Sequence, residues 1–485
     1  DQSLSFMVVQ TDSLNIKMGG TEGEITWPNV QLYKKDGTQN YEQVAALCSI
    51  TGQLINIEDV YFAKDFNFEG TKKFDAGTGY RTKSMLVVPM TDHENRVIGV
   101  LQLLNKTELN EEIIPFTKED EKLILSMSSQ AAVSISNNRL ITELEQLLMD
   151  FIKSTADAIN EKSRYTGGHI NRVAELSVLI AQAVNNEKTG KYKNTHLSSD
   201  ELKQLDIASW MHDIGKITTP EYVVDKATKL ETIYDRIDFV ISKFEILKRD
   251  KEIEYLKASI NLSENEKEKL QEKFEKEIEA INDDIDFIKV TNKGGEFMED
   301  EKIHRLHQIA PTPITVNGEQ TKLLTDNELY NLSIRKGTLT DEERGIINYH
   351  VNMSYSMLNK LSFPKKLERV PIIAASHHKT IYTDDNGVHG GYGHEDIMAE
   401  PMSLEDRILA IADVFEAVTA SDRPYKDPNT LNQSLRILSF MAKDDHLDYD
   451  LVKYFIDNKI YEDYANENLL PTQLDKVTIT LEDRN

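Results

Sequence analysis

Apolar residues along this 485-residue chain change their period more than once. Up to about residue 125, short apolar runs such as Ser84–Met90 and Val97–Leu104 are separated by turn signals at Asp36-Gly37, Gly77-Thr78-Gly79 and Glu94-Asn95. That pattern predicts a mixed α/β unit. From about Lys118 the period becomes helical. Leu140, Leu144, Leu147 and Phe151 recur at spacings of 4, 3 and 4, as the a/d stripe of a coiled coil does. A helix packed on its own domain would satisfy the same spacing. Its position between two domains favours a connector over residues 126–155 that pairs in parallel with a second copy, making a homodimer. Residues 155–225 are again helical. Residues 228–290 are rich in Lys and Glu, and Phe274, Ile278, Ile281, Ile285 and Ile288 share one helical face. With Ile233, Ile237, Ile241 and Phe244 they predict an antiparallel helical hairpin whose charges form a solvated face. Helices resume from 325 to about 460, broken by a glycine-rich loop at 385–393, and residues 470–485 read as a short extended tail.

The expected organisation is therefore multidomain: an α/β unit at 1–125, a connector helix at 126–155, an all-α unit at 156–460 carrying a hairpin insertion at 228–325, and a tail at 461–485. Length supports this division, because 485 residues exceed one ordinary core. Lys plus Arg number 56 against 82 Asp plus Glu, a net charge of −26. Such a chain is a poor binder of nucleic acid polymers or anionic membranes. A small anionic substrate would need a local positive site, which bound metal ions supply. Cys48 is the single cysteine, so an internal disulfide and a thiolate-only metal site are excluded. This fits a reducing, cytoplasmic compartment. No run of about 20 apolar residues marks a membrane span, and no signal peptide is present. The chain begins at Asp1 rather than Met, as a fragment would.

The strongest chemical signal is Trp210-Met211-His212-Asp213-Ile214-Gly215-Lys216. Adjacent His and Asp cannot share a helix face, but both reach one metal where a helix ends, and Gly215 permits such a turn. More candidate ligands follow: His169 after Thr166-Gly167-Gly168, His350 in a helical stretch, the adjacent His377 and His378, and Asp413 in Ile411-Ala412-Asp413-Val414-Phe415. Any one of these histidines alone is better explained as a hydrogen-bonded or exposed imidazole. Two His-containing pairs and a carboxylate in an apolar helix are too many costly groups for packing alone.

The ordered set His169, His212-Asp213-Ile214-Gly215-Lys216, His350, His377-His378, Asp413 and Asp422-Arg423-Pro424-Tyr425 resembles the HD-GYP family of the HD superfamily over about residues 150–460. The resemblance implies an all-α domain that holds iron or manganese ions and hydrolyses cyclic di-GMP. Two ions about 3.5–4 Å apart activate water and neutralise phosphate charge, and mixed imidazole and carboxylate ligands suit iron or manganese without excluding zinc. His169, His212, Asp213 and Asp413 are assigned to one ion and His350, His377 and His378 to the second, with Asp213 able to bridge. Lys216, one turn past His212, is expected to hold a phosphate oxygen or steady the leaving oxygen. Arg423 offers a bidentate phosphate fork and Lys426 a point charge, the latter equally readable as a solvated lysine. Three departures from the family pattern stand out. Tyr165 occupies the place of a Glu that helps bind a third metal in some members, which predicts two metals here. Lys379 follows the His pair where Glu is common. The loop that names the family reads Gly390-Gly391-Tyr392-Gly393-His394, with Tyr392 expected at the substrate. The divergent loop keeps three alternatives open: a phosphodiesterase for another cyclic dinucleotide such as cyclic GMP–AMP, a nucleotide phosphohydrolase of the broader superfamily, and a non-hydrolysing receptor.

The N-terminal part resembles a GAF domain of the cyclic-nucleotide phosphodiesterase type over about residues 4–140. The residues that carry this are Leu54–Tyr61, Phe66-Asn67, Gly79-Tyr80-Arg81-Thr82 and Val97–Lys106, with Asn105-Lys106, Phe116 and Asp120-Glu121 matching a spaced motif of that family. The resemblance implies a sensor for a small molecule or cyclic nucleotide. A Lys106–Asp120 pair that fixes a loop would explain the motif as well as ligand contact would.

Overall fold

The computed structural model describes residues 3–4, 8–11, 16–19, 29–109, 112–162, 168–260, 262–295, 297–421 and 428–484. The chain divides into two compact units, Asp1–Leu148 and Met149–Asn485. In the first, short strands β1 (Ser3–Leu4), β2 (Val8–Thr11), β3 (Ile16–Gly19) and β4 (Val30–Gln31) precede α1 (Val44–Thr51), β5 (Ile55–Ile57), α2 (Glu69–Thr78), β6 (Met85–Thr91), β7 (Val97–Leu104), β8 (Lys106–Thr107) and β9 (Ile113–Ile114). β5, β6 and β7 form an antiparallel sheet in which Ile55 faces Val87 and Met85 faces Leu104. The continuous apolar run of β6 is buried on both faces, as its sequence requires. Val44, Cys48, Ile57, Val60, Phe68, Met85 and Val87 make the core. Burial pushes the Cys48 thiol up to about 12, so it is a small apolar residue here and not a nucleophile. Gly77-Thr78 lies inside α2, and the turn falls on Gly79, which follows it at φ 72°.

Helix α3 (Lys118–Lys162) is 45 residues long and extends beyond the expected 126–155 on both sides. The a/d stripe stands in solvent: Leu144 and Phe151 are each 68% exposed, and Leu140 and Leu147 are exposed too.

In the second unit the end of α3 is followed by α4 (His169–Asn186), α5 (Ser199–Met211) and the short α6 (Glu221–Val224). A Ser198–Glu201 capping box starts α5. The insertion follows: α7 (Ile237–Ser259), α8 (Glu264–Asn292), α9 (Asp300–Ile309), the hairpin of β10 (Pro313–Val316) and β11 (Glu319–Lys322), then α10 (Asp326–Leu332). α7 and α8 pack together, and Phe244, Ile281, Ile285 and Ile288 sit in a core with Leu306, Ile314 and Leu332. Phe274 stacks on Tyr255 instead. Ile233, expected on the buried face, is 96% exposed. It lies in a tight turn closed by a bridge between Glu231 and Asp235, so helical periodicity does not apply to it. Buried ammonium groups tie the insertion down: Lys243 pairs with Glu328 at 2.8 Å, and Lys229 donates to the carbonyls of Leu332 and Ile334.

The chain then forms α11 (Asp341–Asn348), α12 (His350–Leu358) and α13 (Val370–Ala375). The glycine-rich segment at 385–393 is not a simple loop, because β12 (Lys379–Thr383) pairs antiparallel with β13 (His389–Gly391). α14 (Glu395–Met398), α15 (Leu404–Thr419), α16 (Leu431–Lys443), α17 (Tyr449–Asp457) and α18 (Tyr461–Asn468) complete the unit. The tail packs back, with Gln473 Nε2 donating to the Thr419 and Asn429 carbonyls and Leu481 buried. No helix among the described residues is long and apolar enough to cross a membrane.

Candidate metal centre

Four helix ends and one helix interior converge in the second unit. His169 is the first residue of α4, His212 caps the end of α5, and Asp213 leads a 3₁₀ turn over Ile214–Thr218. His350 opens α12, and His377-His378 follow the end of α13. Asp413 lies inside α15, whose start is fixed by a Ser403–Asp406 capping box. α4 packs on α5 and α15, α13 on α5, α12 and α15, and α12 on the 3₁₀ turn. Gly215 permits the turn, but not through a left-handed backbone. Its φ is not positive, and its role is different. A Cβ there would lie 1.9 Å from the His350 carbonyl oxygen and 2.7 Å from Ser354 N. Glycine is required because two backbones touch. Ser354 joins them: its Oγ accepts from Gly215 N at 2.9 Å and donates to the His212 carbonyl at 2.8 Å.

Three imidazoles are oriented by one local device. Nδ1 of His212 lies 2.7 Å from the Ser209 carbonyl, Nδ1 of His350 2.6 Å from Ile347 O, and Nδ1 of His377 2.7 Å from Ala374 O, each three residues back. A carbonyl accepts only from N–H, so Nδ1 carries a proton and, in the neutral ring, Nε2 carries the free lone pair. All three Nε2 atoms are buried without a hydrogen-bond partner within the protein. Buried polar atoms left this way are costly unless something binds them. These atoms and the carboxylates form three overlapping groups with ligand atoms within 4.8 Å of one another: His350, His377 and His378; His169, His212 and Asp413; and His212, Asp213 and His377.

Asp213 faces both sides. Its Oδ2 lies 3.4 Å from His212 Nε2 and 3.6 Å from His169 Nε2, and its Oδ1 lies 3.3 Å from His350 Nε2. Asp413 Oδ1 is 3.3 Å from His169 Nε2 and 3.8 Å from His212 Nε2. Lys216 Nζ reaches Asp213 Oδ2 at 2.5 Å. Burial holds three of the imidazoles neutral: His377 is pushed well down, His212 down, and His378 down to about 3. Burial acts the same way on His169, but its hydrogen bonds to the carboxylates of Asp413 and Glu416 outweigh it and carry that imidazole up to about 10. Burial would raise Asp213, yet Lys216, His212 and His350 hold its carboxyl well below the usual carboxylate range. The neutral imidazoles of His212, His377 and His378 beside the ionised carboxyl of Asp213 are in the protonation states that metal coordination requires, and an ion bound at His169 would displace the proton on its Nε2.

The structure thus brings together His169, His212, Asp213, His350, His377, His378, Asp413 and Lys216. Tyr392 is adjacent, its ring centre 4.4 Å from that of His378. Gly391, before it, has φ 86°, and a Cβ there would meet His378 O at 2.0 Å. Lys379 takes no place among the ligands. It is 1% exposed, and its ammonium donates to the carbonyls of Ile397 and Glu400 at 2.7 Å each. Tyr165, Arg423, Tyr425 and Lys426 lie outside the described residues. Sequence reasoning missed Ser354, Arg172 and Glu416. Glu416 binds His169 Nδ1 and accepts from Arg172 Nε at 2.6 Å. It stands three residues after Asp413 in the same apolar helix, so the cost of a buried carboxylate could have flagged it too.

In the first unit, the spaced motif closes contacts within the chain. Lys106 pairs with Asp120. Asn105, at φ 51°, accepts from Lys83 N at 2.6 Å and donates to Arg81 O at 2.7 Å. Asn56 Nδ2 donates to Phe116 O and Glu121 Oε1, each at 2.9 Å. The motif ties β5, the end of β7 and the start of α3 together.

Comparison with known proteins agrees with both architectures. Residues 17–135 match the GAF domain family and residues 322–451 match an HD domain family. The second match begins near the end of the insertion and contains His350, His377, His378 and Asp413. The chain is 36% identical over 89 residues to the dual 3′,5′-cyclic-AMP and -GMP phosphodiesterase 11A of Takifugu rubripes, covering 18% of this chain and 9% of that protein. It is 34% identical over 116 residues to the dual phosphodiesterase 11 of Drosophila melanogaster, 23% of this chain and 7% of that protein. It is 30% identical over 97 residues to the cGMP-specific 3′,5′-cyclic phosphodiesterase of Drosophila virilis, 20% of this chain and 10% of that protein. The matched part spans a tenth or less of the length of these relatives. By fold and by family match, the chain is a GAF domain followed by a helical HD domain.

Proposed function

We propose that this chain is a metal-dependent phosphodiesterase that hydrolyses a cyclic dinucleotide, cyclic di-GMP first, under the control of its GAF domain. The observation that carries the proposal is the set of three buried Nε2 atoms, pre-oriented by their own main chain and gathered around Asp213. Resemblance to the HD-GYP family supplies the substrate class, and the relatives matched are cyclic-nucleotide phosphodiesterases. His169, His212 and Asp413 would hold one divalent ion and His350, His377 and His378 the other, with Asp213 offering one oxygen to each. Iron or manganese fits these donors. Such ions supply Lewis acidity and a nucleophile from water at neutral pH. Lys216 stands where its ammonium can take a phosphate oxygen once Asp213 is engaged. Tyr392 borders the centre as a platform for a base or sugar, and Arg423 and Lys426 are assigned to the phosphates. The exposed stripe of α3 pairs two copies, and a small molecule or cyclic nucleotide at the GAF domain shifts that helix.

The test is a parallel assay of the full chain, loaded with Fe²⁺ or Mn²⁺ under reducing conditions, on cyclic di-GMP, cyclic GMP–AMP, cyclic AMP and cyclic GMP. Linear dinucleotide or mononucleotide should appear from cyclic di-GMP only with metal, and never from Asp213→Ala. Turnover of cyclic GMP–AMP alone would move the substrate within the class. Tight binding of a cyclic dinucleotide without turnover would replace the enzyme by a receptor, a second reading that the Gly390–His394 loop favours.

A further inference from the structure

His169 differs from the other oriented imidazoles. His212, His350 and His377 each take a carbonyl from the preceding helical turn as the partner of Nδ1. His169 is the first residue of α4, so no turn of its own helix precedes it. Its Nδ1 is bound instead by the carboxylate of Glu416, from α15. The same helix places Asp413, one turn earlier, 3.3 Å from the opposite ring nitrogen. The imidazole is therefore gripped at both nitrogens by carboxylates of one neighbouring helix. Glu416 is itself 1% exposed and fully engaged: Oε2 faces His169, and Oε1 accepts from Arg172 Nε and Nη2, both at 2.6 Å.

From this geometry we infer that Glu416 is a positioning residue that makes His169 the most electron-rich imidazole of the cluster, so that the position of His169, His212 and Asp413 fills first with metal. This rests on the reading of the cluster as a metal centre. A carboxylate partner fixes the tautomer more strongly than a carbonyl does and raises the basicity of the far nitrogen. Arg172 serves Glu416 rather than His169. It neutralises the buried carboxylate and locks its rotamer. The neutral isostere cannot substitute. Glutamine has one acceptor and one donor, and the two neighbours of Glu416 both donate. Its amide must either oppose Arg172 or donate to Nδ1, and the second choice moves the imidazole proton to Nε2, where the ion should bind.

The experiment titrates the metal-free full chain with Mn²⁺ alone, reading free Mn²⁺ by its electron paramagnetic resonance signal. The native chain should show two unequal sites. Glu416→Gln should weaken the tighter one by about 10–100-fold and leave the other nearly unchanged, the usual cost of losing such a partner. Arg172→Gln should weaken it less, because Glu416 still binds His169. Glu416→Asp keeps the buried charge and hence the fold, and should also weaken the tighter site. Unchanged affinity in Glu416→Gln or Glu416→Asp overturns the inference. So does an equal loss in Arg172→Gln, which would make the trio a packing staple, and so does a native chain that binds no Mn²⁺. A native chain that binds two ions but hydrolyses no cyclic dinucleotide removes the phosphodiesterase proposal and leaves the affinity ratio to decide this one.

Discussion

Replacing Gly215 by alanine perturbs the junction on which the candidate centre hangs. The new methyl would stand 1.9 Å from the His350 carbonyl oxygen and 2.7 Å from Ser354 N, both main-chain atoms that cannot swing away. Ordinary contact begins near ~3.5 Å, so the 3₁₀ turn and α12 must part by roughly 1.5 Å. Overpacking of a tight interior costs about 1–3 kcal/mol. Each hydrogen bond of the Ser354 bridge that stretches beyond reach adds about 1 kcal/mol. The same movement carries Asp213 away from His350, now 3.3 Å apart, and so separates the two halves of the ligand set. A displacement of about 1 Å at reacting groups is enough for ~10²-fold losses in rate. Urea unfolding in EDTA measures the first effect, and Mn²⁺ titration measures the second. Gly345→Ala is the control, since a Cβ there meets nothing within 4 Å and lies in α11, where alanine is the better helix former. If Gly215→Ala keeps the native urea midpoint and the native Mn²⁺ affinity, the two backbones are not in contact and the reasoning fails.

Lys216→Ala should retain metal and slow turnover by about 10²–10³, the usual effect of removing a charge-stabilising group; loss of metal would show instead that Lys216 serves Asp213. His378 is pushed down to about 3 by burial, so the unfolded chain takes up its proton near pH 6.5 while the folded chain does not. The contribution of His378 to the stability of the metal-free protein should therefore be intact above pH 6.5 and fall progressively toward pH 3, read as a lower urea midpoint at pH 5 than at pH 7. A midpoint that rises over that interval would contradict the buried, neutral state of the imidazole. Leu144→Glu and Phe151→Glu, on the solvent-facing stripe of α3, should convert a dimer to a monomer by light scattering; a native chain that is already monomeric refutes the pairing.

The helical unit was legible because its costly residues are widely spaced in sequence but typed alike. A carboxylate at Asp413 among Ile411, Ala412, Val414 and Phe415 is hard to explain without a partner, and adjacent His212 and Asp213 point to a helix end. Glu416 was hidden by its placement at the margin of the same apolar run, where it passes for a surface residue. Ser354 was hidden because a serine in a helix carries no burial signal of its own. From the sequence Gly215 signals a turn, whereas its constraint comes from α12, more than a hundred residues away, and no local pattern reports a distant neighbour. Periodicity failed at Ile233 for a related reason: three residues inside a bridged turn have no helical face to belong to.

The centre draws its members from His169 to Asp413, with the whole insertion strung between Asp213 and His350. Closing loops of that length is an entropic task, and contacts between such distant segments form late in folding. An ion that binds only the closed arrangement acts as a removable cross-link among five segments. At a concentration 100 times its dissociation constant it would add about 2.7 kcal/mol to the native state. Resistance of the chain to heat and to protease should then follow metal supply, and starvation for that metal would shorten the lifetime of the protein.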